Sequence, residues 1–278
     1  MADVESIEKT LILSDKMSAD IRYADDTTLI SAMFEKLQLS TLELEAACKK
    51  WGIKINSSKT KLITTVHNDE IIIDGNTVEK TDSFVYLGNV IPNTSDDINR
   101  RTALASQAFG RLKSAIWSNR NLSMPLKIRL YNALIIPIAT YASETWTLKQ
   151  NDIRTLNTFE MRCLRSILGV TLWDRLTNVT IRNRTGLKMT IIEVIQRKRR
   201  KWFGNVVRRN SEGYINKLYI QNFTGKRHCG HPRKRWKDQL REDLNLPLQT
   251  LERIAKDRDQ WRNVVSMGGA RILRGLCR

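Results

Sequence analysis

The sequence has few of the residues that build disulfide or zinc scaffolds. Its 278 residues include 4 cysteines and 3 histidines, and no two cysteines have the C-x-x-C spacing of a zinc site. Scattered cysteines of this kind are typical of a reducing compartment. The sequence also lacks a signal-peptide core and any apolar run near the roughly 20 residues that span a bilayer. It therefore predicts an intracellular protein, nuclear or cytoplasmic, with no membrane partner.

Acidic residues are scarce in the last two thirds of the chain. Residues 1–95 hold 10 Lys and Arg against 15 Asp and Glu, a net charge of −5. Residues 96–278 hold 37 against 14, a net charge of +23. Such an excess of cations favours a polyanion, because neutralised phosphates release condensed counterions. Nucleic acid is the predicted partner.

The first third of the chain has the alternation and turn residues of short strands. The stretch IRYADDTTLI (21–30) predicts a β-hairpin with Asp25 and Asp26 at its tip. Apolar residues spaced from Ile30 to Trp51 predict a helix that ends near Gly52. An Asp-Gly pair at 74–75 predicts a second hairpin, and FVYLGNVI (84–91) a further strand. This order indicates an α+β module in which the first hairpin and the helix are followed by further antiparallel strands.

Beyond residue 96 the apolar residues recur every three to four positions, which predicts helices. Pro125 is placed to open one helix, Pro137 to kink it, and Gly169 to end another. Two strongly basic runs follow, RKRRK (197–201) and the stretch around PRKRW (232–236). The sequence predicts three regions, at 1–95, 96–190 and 191–278.

Asp25 and Asp26 are the candidate metal ligands. Adjacent carboxylates repel each other unless a cation lies between them. A hard divalent ion such as Mg²⁺, or Mn²⁺ in its place, prefers oxygen ligands and keeps waters that substrate phosphates replace. In two-metal catalysis such ions activate the attacking hydroxyl and stabilise the leaving oxygens. The alternative interpretation is a solvated surface turn.

The order of the motifs carries a family resemblance. Y-A-D-D (23–26), a helix, WGIKINSSKTKL (51–62) and FVYLGNVI (84–91) resemble the palm motifs of reverse transcriptases from non-LTR retrotransposons, the LINE class. YASETWTL (141–148) and RKWFGNVVRR (200–209) resemble the region after the palm in LINE elements that also encode an endonuclease. The resemblance implies a C-terminal fragment with a partial palm at 1–95, a helical thumb at 96–190 and a basic nucleic-acid-binding region at 191–278.

The resemblance also implies roles in the catalytic hairpin. Asp25 is the expected metal ligand and Asp26 its auxiliary, while Tyr23 braces the primer end and Ala24 leaves room for it. Lys59 resembles the lysine that protonates departing pyrophosphate, a role that suits an ammonium group near developing negative charge. Lys61 is the rival for that role, and both lysines have a solvated turn as the alternative.

The segment FVYLG resembles the primer grip, where a glycine at 88 lets the backbone approach the primer. Tyr86 belongs to this segment, with a place in the core as its alternative. The basic runs are predicted to bind nucleic acid, although a nuclear-localisation role fits them equally. The residues predicted to contact nucleic acid are Tyr23, Ala24, Tyr86, Gly88, Arg197, Lys198, Arg199, Arg200, Lys201, Arg233, Lys234 and Arg235.

The resemblance implies RNA-directed DNA polymerase activity with an RNA template and a DNA primer or duplex as partners, and no small-molecule cofactor. A palm of this family has a further aspartate on a strand before the hairpin. Neither Asp15 nor Asp20 is placed for that role. The isolated chain is therefore expected not to polymerise, and the alternatives are a non-catalytic nucleic-acid-binding module and a poorly folded relic.

Overall fold

A computed structural model describes residues 18–31, 33–64, 70–209, 219 and 234–267. These residues form two compact units. The first unit contains the described residues up to Phe84 together with Arg209 and Tyr219, and the second contains Val85 to Arg208 together with residues 234–267. The boundary falls inside FVYLGNVI, before the predicted end of the first region at residue 95. No described helix is both long enough and apolar enough to cross a bilayer.

The first unit begins with the predicted hairpin and helix. Strand β1 (Ser18–Tyr23) pairs antiparallel with β2 (Asp26–Ser31). Helix α1 (Phe34–Lys50) follows, and the chain leaves it through Gly52 at φ +69°, a conformation that glycine adopts without steric cost. The helix begins later than predicted because Ile30 belongs to β2.

Four two-residue strands complete this unit. Strands β4 (Ile72–Ile73) and β5 (Asn76–Thr77) form the predicted Asp-Gly hairpin. Strand β3 (Lys61–Leu62) pairs with β6 (Glu79–Lys80) in parallel, so the prediction of further antiparallel strands is wrong for this pair. A small core joins these strands to α1 and consists of Leu62, Ile71, Ile73 and Val78, with Phe34, Leu37 and Ile55 packed against it.

The second unit opens with a hairpin where the sequence predicted one strand. Strand β7 (Phe84–Tyr86) pairs with β8 (Asn89–Ile91) across a turn at Leu87 and Gly88. Both turn residues have positive φ, +46° and +83°, as a two-residue turn matched to the strand twist requires. Leucine carries no turn signal, which is why the local pattern predicted a continuous strand.

The remainder of this unit is helical. Its helices are α2 (Thr94–Arg111), α3 (Met124–Leu130), α4 (Ile136–Ala139), α5 (Gln150–Leu168), α6 (Asn178–Thr185), α7 (Ile191–Arg208), α8 (Trp236–Leu244), α9 (Leu248–Lys256) and α10 (Arg258–Met267). A π-helical turn joins α3 to α4 immediately before Pro137, so the proline interrupts the regular hydrogen-bond pattern as predicted. Helix α5 ends at Gly169 with φ +70°, also as predicted.

A short segment at 143–148, which begins with a 3₁₀ turn, connects helices that are distant in the sequence. The indole N–H of Trp146 donates to Asp97 of α2 at 2.9 Å, and the backbone carbonyl of Trp146 accepts from Arg199 of α7 at 3.1 Å. The side chain of Gln239 in α8 pairs with both the N–H and the carbonyl of Leu148, at 3.0 and 2.6 Å. Buried backbone polar groups need such partners, so this segment is held by side chains from three helices.

Candidate active site

The register of the first hairpin fixes where its aspartates lie. Tyr23 pairs with Asp26, which leaves Ala24 and Asp25 as the two-residue turn. The tip is therefore one residue earlier than predicted, and Asp26 begins β2. Ala24 adopts φ +54°, a left-handed conformation that costs an alanine roughly 1–2 kcal/mol. Such strain often accompanies functional sites.

The carboxylates of this turn are open to solvent. Asp25 and Asp26 are both exposed, and neither forms an ion pair with any residue that the structure describes. Tyr23, opposite Asp26, is 65% exposed. Because Tyr23 and Asp26 are cross-strand partners, their side chains leave the same face of the hairpin. The hairpin presents two unneutralised carboxylates beside an exposed aromatic ring.

Asp20 is not a third ligand beside Asp26. It accepts a hydrogen bond from Arg22 at 2.6 Å, in an ion pair two residues apart on β1. Asp20 and Arg22 share a face of β1, and Tyr23 and Asp26 occupy the other face, since side chains alternate along a strand. The structure thus places Asp20 and Asp26 on opposite faces of the hairpin. Asp15 lies outside the described residues.

The donor set suits a magnesium-type ion but is small. Two exposed carboxylates offer the oxygen ligands that Mg²⁺ prefers. No group of three or more His, Cys, Asp or Glu side chains in the described residues is placed to hold a metal. Asp25 and Asp26 are accordingly the residues that would hold the ion, with water or substrate oxygens completing its coordination.

The structure distinguishes the two candidate lysines. Lys61 forms an ion pair with Glu79 of the neighbouring strand β6. Lys59 is exposed in the turn that follows α1, where its backbone N–H donates to the side chain of Asn56 at 3.2 Å. Among described residues the Lys59 ammonium has no acidic partner. A free ammonium is available to a phosphate, whereas that of Lys61 is already neutralised.

In FVYLG, the space left by Gly88 is filled from within the protein. A Cβ on Gly88 would meet the guanidinium of Arg101 at 3.2 Å. The Gly88 carbonyl accepts from Arg100 at 2.9 Å and also from Arg101. Arg101 lies over the ring of Tyr141, 4.2 Å from its centroid. These contacts give the glycine a structural role, and its approach to a primer remains a prediction.

Tyr86 lies half-buried in β7. Its hydroxyl is buried and has no hydrogen-bond partner in the described part of the chain. The hydroxyl is therefore covered by the protein and is not presented to a ligand, and contact of Tyr86 with a primer remains a prediction.

The first basic run is divided by helix α7 between solvent and core. Arg199 and Arg200 are 1% and 2% exposed, which leaves them no surface for phosphate contact. Arg199 forms an ion pair with Asp243 at 2.5 Å, and the Nζ of Lys198 donates to the carbonyl of Thr140. Nucleic-acid contact by this run is thereby restricted to Arg197 and Lys201, which are exposed.

The structure describes part of the second basic run. Lys234 pairs with Glu242 at 2.5 Å, and the backbone N–H of Arg235 donates to Asp238 at the start of α8. Trp236 donates its indole N–H to the carbonyl of Glu144 at 2.8 Å. Arg233 lies outside the described residues. The tryptophan next to this run therefore anchors a helix.

Sequence reasoning missed the acidic partners Asp243, Asp97 and Glu160. Asp97 and Glu160 are buried, with exposures of 2% and 0%. Glu160 accepts from Arg182 at 2.8 Å and from the Ile191 N–H at 2.6 Å. The sequence signal for a buried ion pair was limited to the helical spacing of its basic member. Arg199 lies four residues from Ile195 and from Phe203, on the buried face of α7.

Comparison with known proteins gives one family and one relative. Residues 6–91 match the family model described as reverse transcriptase (RNA-dependent DNA polymerase). A transposon-derived protein of Caenorhabditis elegans is 24% identical over 266 residues, which cover 88% of this chain and 94% of the relative. No solved structure matches the chain. From residue 6 to residue 91, the segment that holds Asp25, Asp26 and Lys59, the chain is therefore similar to reverse transcriptases.

Proposed function

We propose that the chain derives from the RNA-directed DNA polymerase of a LINE-class retrotransposon and corresponds to the later half of its palm, a helical thumb and a basic terminal region. The observation that carries the proposal is the pair of exposed, unneutralised carboxylates at the turn of β1 and β2, inside the segment that matches the reverse transcriptase model. The order of the later motifs supports it.

In this proposal each group acts through its own chemistry. Asp25 and Asp26 would hold Mg²⁺ or Mn²⁺, and the chemistry that such an ion would supply is activation of a primer hydroxyl and stabilisation of charge on the leaving oxygens. Lys59 donates a proton, or a hydrogen bond, to the departing pyrophosphate. Arg197, Lys201 and the basic residues near 234 bind template or primer phosphates.

We propose further that the isolated chain does not polymerise. Two carboxylates hold one ion weakly and leave a second ion without ligands. The described residues offer no third carboxylate beside them, since Asp20 is paired with Arg22 on the other face of the hairpin. Under this proposal the chain acts as a nucleic-acid-binding module that retains a metal-binding turn.

Metal binding is tested first, with Mn²⁺ as a paramagnetic probe. Wild-type protein is expected to bind about one Mn²⁺ with weak affinity, and Asp25→Asn/Asp26→Asn to lose that site. The matched control is Glu70→Gln/Asp82→Asn, which removes two exposed carboxylates from the same unit. Equal losses in the two double variants would show that Mn²⁺ binding reflects net charge, and would refute the hairpin site.

Activity is tested by primer extension with Mg²⁺, an RNA template and deoxynucleotides. No product is expected from the isolated chain. A product that Asp25→Ala abolishes would establish catalysis and overturn the inactivity proposal, while supporting the role of the hairpin.

The alternative function, a nucleic-acid-binding module without any metal site, is favoured by the +23 charge of residues 96–278. This function predicts two results together. The protein binds RNA or DNA with a strong dependence on salt, and Mn²⁺ does not bind to the hairpin. Absence of binding at low salt would exclude it.

A further inference from the structure

Helix α1 has a second apolar stripe that faces away from the core of the first unit. Its inner side contributes Phe34 and Leu37 to the small core described above. On the opposite side, Leu39 and Leu42 are 59% and 48% exposed. These two leucines are neighbours on the helix surface, because residues three apart lie on one face. None of the roles above accounts for an apolar stripe in contact with solvent.

The stripe has the spacing of a coiled-coil seam. Its residues recur along α1 at intervals of four, three and four, and all are exposed: Glu35, Leu39, Leu42 and Ala46. Such spacing keeps one line of side chains against a second helix along its whole length. The outer surface of α1 is therefore shaped to pack against another helix.

Opposite charges lie beside this seam, seven residues apart. Lys36 and Glu43 each follow a seam residue by one position, so they are on the same side of the seam. Among the described residues neither side chain has an ion-pair partner. Glu45, on the other side of the seam, is already paired with Lys49 at 2.6 Å. One side of the seam thus carries an unneutralised cation near the start of the helix and an unneutralised anion near its middle.

This pattern is complementary to itself when it is reversed. In an antiparallel pair of α1 helices related by a two-fold axis, Leu39 of each copy packs on Leu42 of the other. The same side of the seam then faces itself, so Lys36 of one copy lies beside Glu43 of the second copy, twice in the pair. A parallel pair instead places Glu35 against Glu35 of the second copy, which brings like charges together.

We propose that the outer face of α1 binds a second copy of the chain through an antiparallel pair of α1 helices. The second copy supplies what the free face lacks, a cover for two exposed leucines and an opposite charge for both Lys36 and Glu43. One helix from each copy buries less than the ~1,200 Å² at which standard interfaces begin, so the dimer is weak and exchanges with monomer. It requires neither a metal ion nor nucleic acid.

The test is sedimentation velocity of the full chain, freed of nucleic acid, at ~5 to 200 µM, where a weak interface populates both monomer and dimer. We expect the sedimentation coefficient of the wild type to rise with concentration toward that of a dimer. Leu39→Ser/Leu42→Ser should remain monomeric. The matched control is Leu172→Ser/Trp173→Ser, which removes apolar side chains that are 76% and 92% exposed on the second unit. This control should dimerise as the wild type does.

The antiparallel orientation is tested by reversing charges. Glu43→Lys converts two ion pairs into repulsive pairs, so we expect the affinity of the dimer to fall ~10-fold. Lys36→Glu/Glu43→Lys restores both pairs with the charges exchanged, and its affinity should return to within ~2-fold of the wild type. Glu70→Lys makes the same change in net charge as Glu43→Lys at an exposed position outside α1. It should weaken the dimer by less than ~2-fold, because salt screens distant charges.

A wild type that stays monomeric at the highest concentration would overturn the proposal. A dimer that survives Leu39→Ser/Leu42→Ser, or that is lost equally in its control, would also overturn it. A dimer that the double charge reversal fails to rescue would overturn the antiparallel arrangement. If the leucine variant unfolds at a lower temperature than its control, the charge series decides the outcome, because it leaves the seam intact.

Discussion

The two units of the molecule differ in where charge is buried. Among the described residues, every buried charged side chain belongs to the second unit. In the first unit Asp25, Asp26 and Lys59 are exposed and have no ion-pair partner among the described residues. In the second unit Arg199 and Glu160 are buried, and each is paired. Burial with a partner marks a charge that holds the fold together, whereas exposure without one leaves a charge available to a ligand. The number of charges in a run of sequence does not separate these cases.

The sharpest test of this comparison is Arg199→Ala. The substitution removes the 2.5 Å partner of the largely buried Asp243 carboxylate and leaves it the Gln196 amide at 3.1 Å. Breaking a buried pair from one side costs about 3–5 kcal/mol. We expect a loss of this size in the free energy of unfolding measured with urea. Arg197→Ala, on the exposed side of the same helix, should change that free energy by less than about 0.5 kcal/mol. Similar losses for the two would refute the division of the run.

The next largest effect is expected in cysteine reactivity. Burial raises the pKa of the Cys163 thiol to about 12, so ~1 in 10⁴ of its molecules is thiolate at pH 8. Cys48, in the first unit, is half-buried. Alkylation of the folded protein, mapped by mass spectrometry, should modify Cys48 at least ~100-fold faster than Cys163. Equal rates in the folded state, with equal rates in urea as the control, would contradict the packing around α5.

A smaller effect compares one turn from each unit. Gly75 and Gly88 both follow a residue of positive φ and have φ of +77° and +83°. A Cβ on Gly75 meets no atom within 4 Å, whereas one on Gly88 meets Arg101 at 3.2 Å. Gly75→Ala should cost about 1 kcal/mol through its backbone conformation alone. Gly88→Ala should cost about 1 kcal/mol more, because Arg101 must move. Equal losses of unfolding free energy in the two variants would show that the Arg101 side chain moves away at no cost.

The smallest effect concerns an exposed carboxylate that does have partners. Hydrogen bonds from the backbone and then the side chain of Thr171 lower the pKa of Asp174 below its ordinary value of 3.8. A lowered folded-state pKa contributes stability above pH 3.8 that is lost as the pH falls through the folded value. Asp174→Asn should therefore be slightly less stable than wild type at pH 7, and the difference should vanish under strong acid. A stability difference between wild type and Asp174→Asn that grows on acidification would contradict a lowered pKa of Asp174.

Local sequence signals predicted much of the fold. Alternation around Y-A-D-D gave the first hairpin, and Gly52 and Gly169 marked the ends of α1 and α5. The turn at Leu87 was missed because a leucine at φ +46° has no propensity for that conformation. The parallel pairing of β3 with β6 was also missed, because two-residue strands carry almost no register information.

The candidate site was predictable to a similar degree. Adjacent aspartates between strands predicted a turn, and the register places that turn one residue earlier, at Ala24 and Asp25. Metal binding at this turn stays a prediction. The composition of the basic run at 197–201 predicted phosphate contact by all five residues. Arg199 instead continues the apolar stripe of Ile195 and Phe203 and is buried with it. Its acidic partner lies 44 residues away in the chain, a distance over which no local pattern reports.

The segment at 143–148 has a consequence for how the polypeptide assembles. The indole and the carbonyl of Trp146 bond to Asp97 and Arg199, and the Leu148 N–H bonds to Gln239. These partners are far apart in the chain, so they are synthesised at different times. The backbone N–H and carbonyl of Leu148 therefore gain these protein partners only after residue 239 has been synthesised. Helix α8 thus completes the hydrogen bonding of this segment late in synthesis. We expect a chain that ends before α8 to be cleaved by proteases at this segment more readily than the full chain.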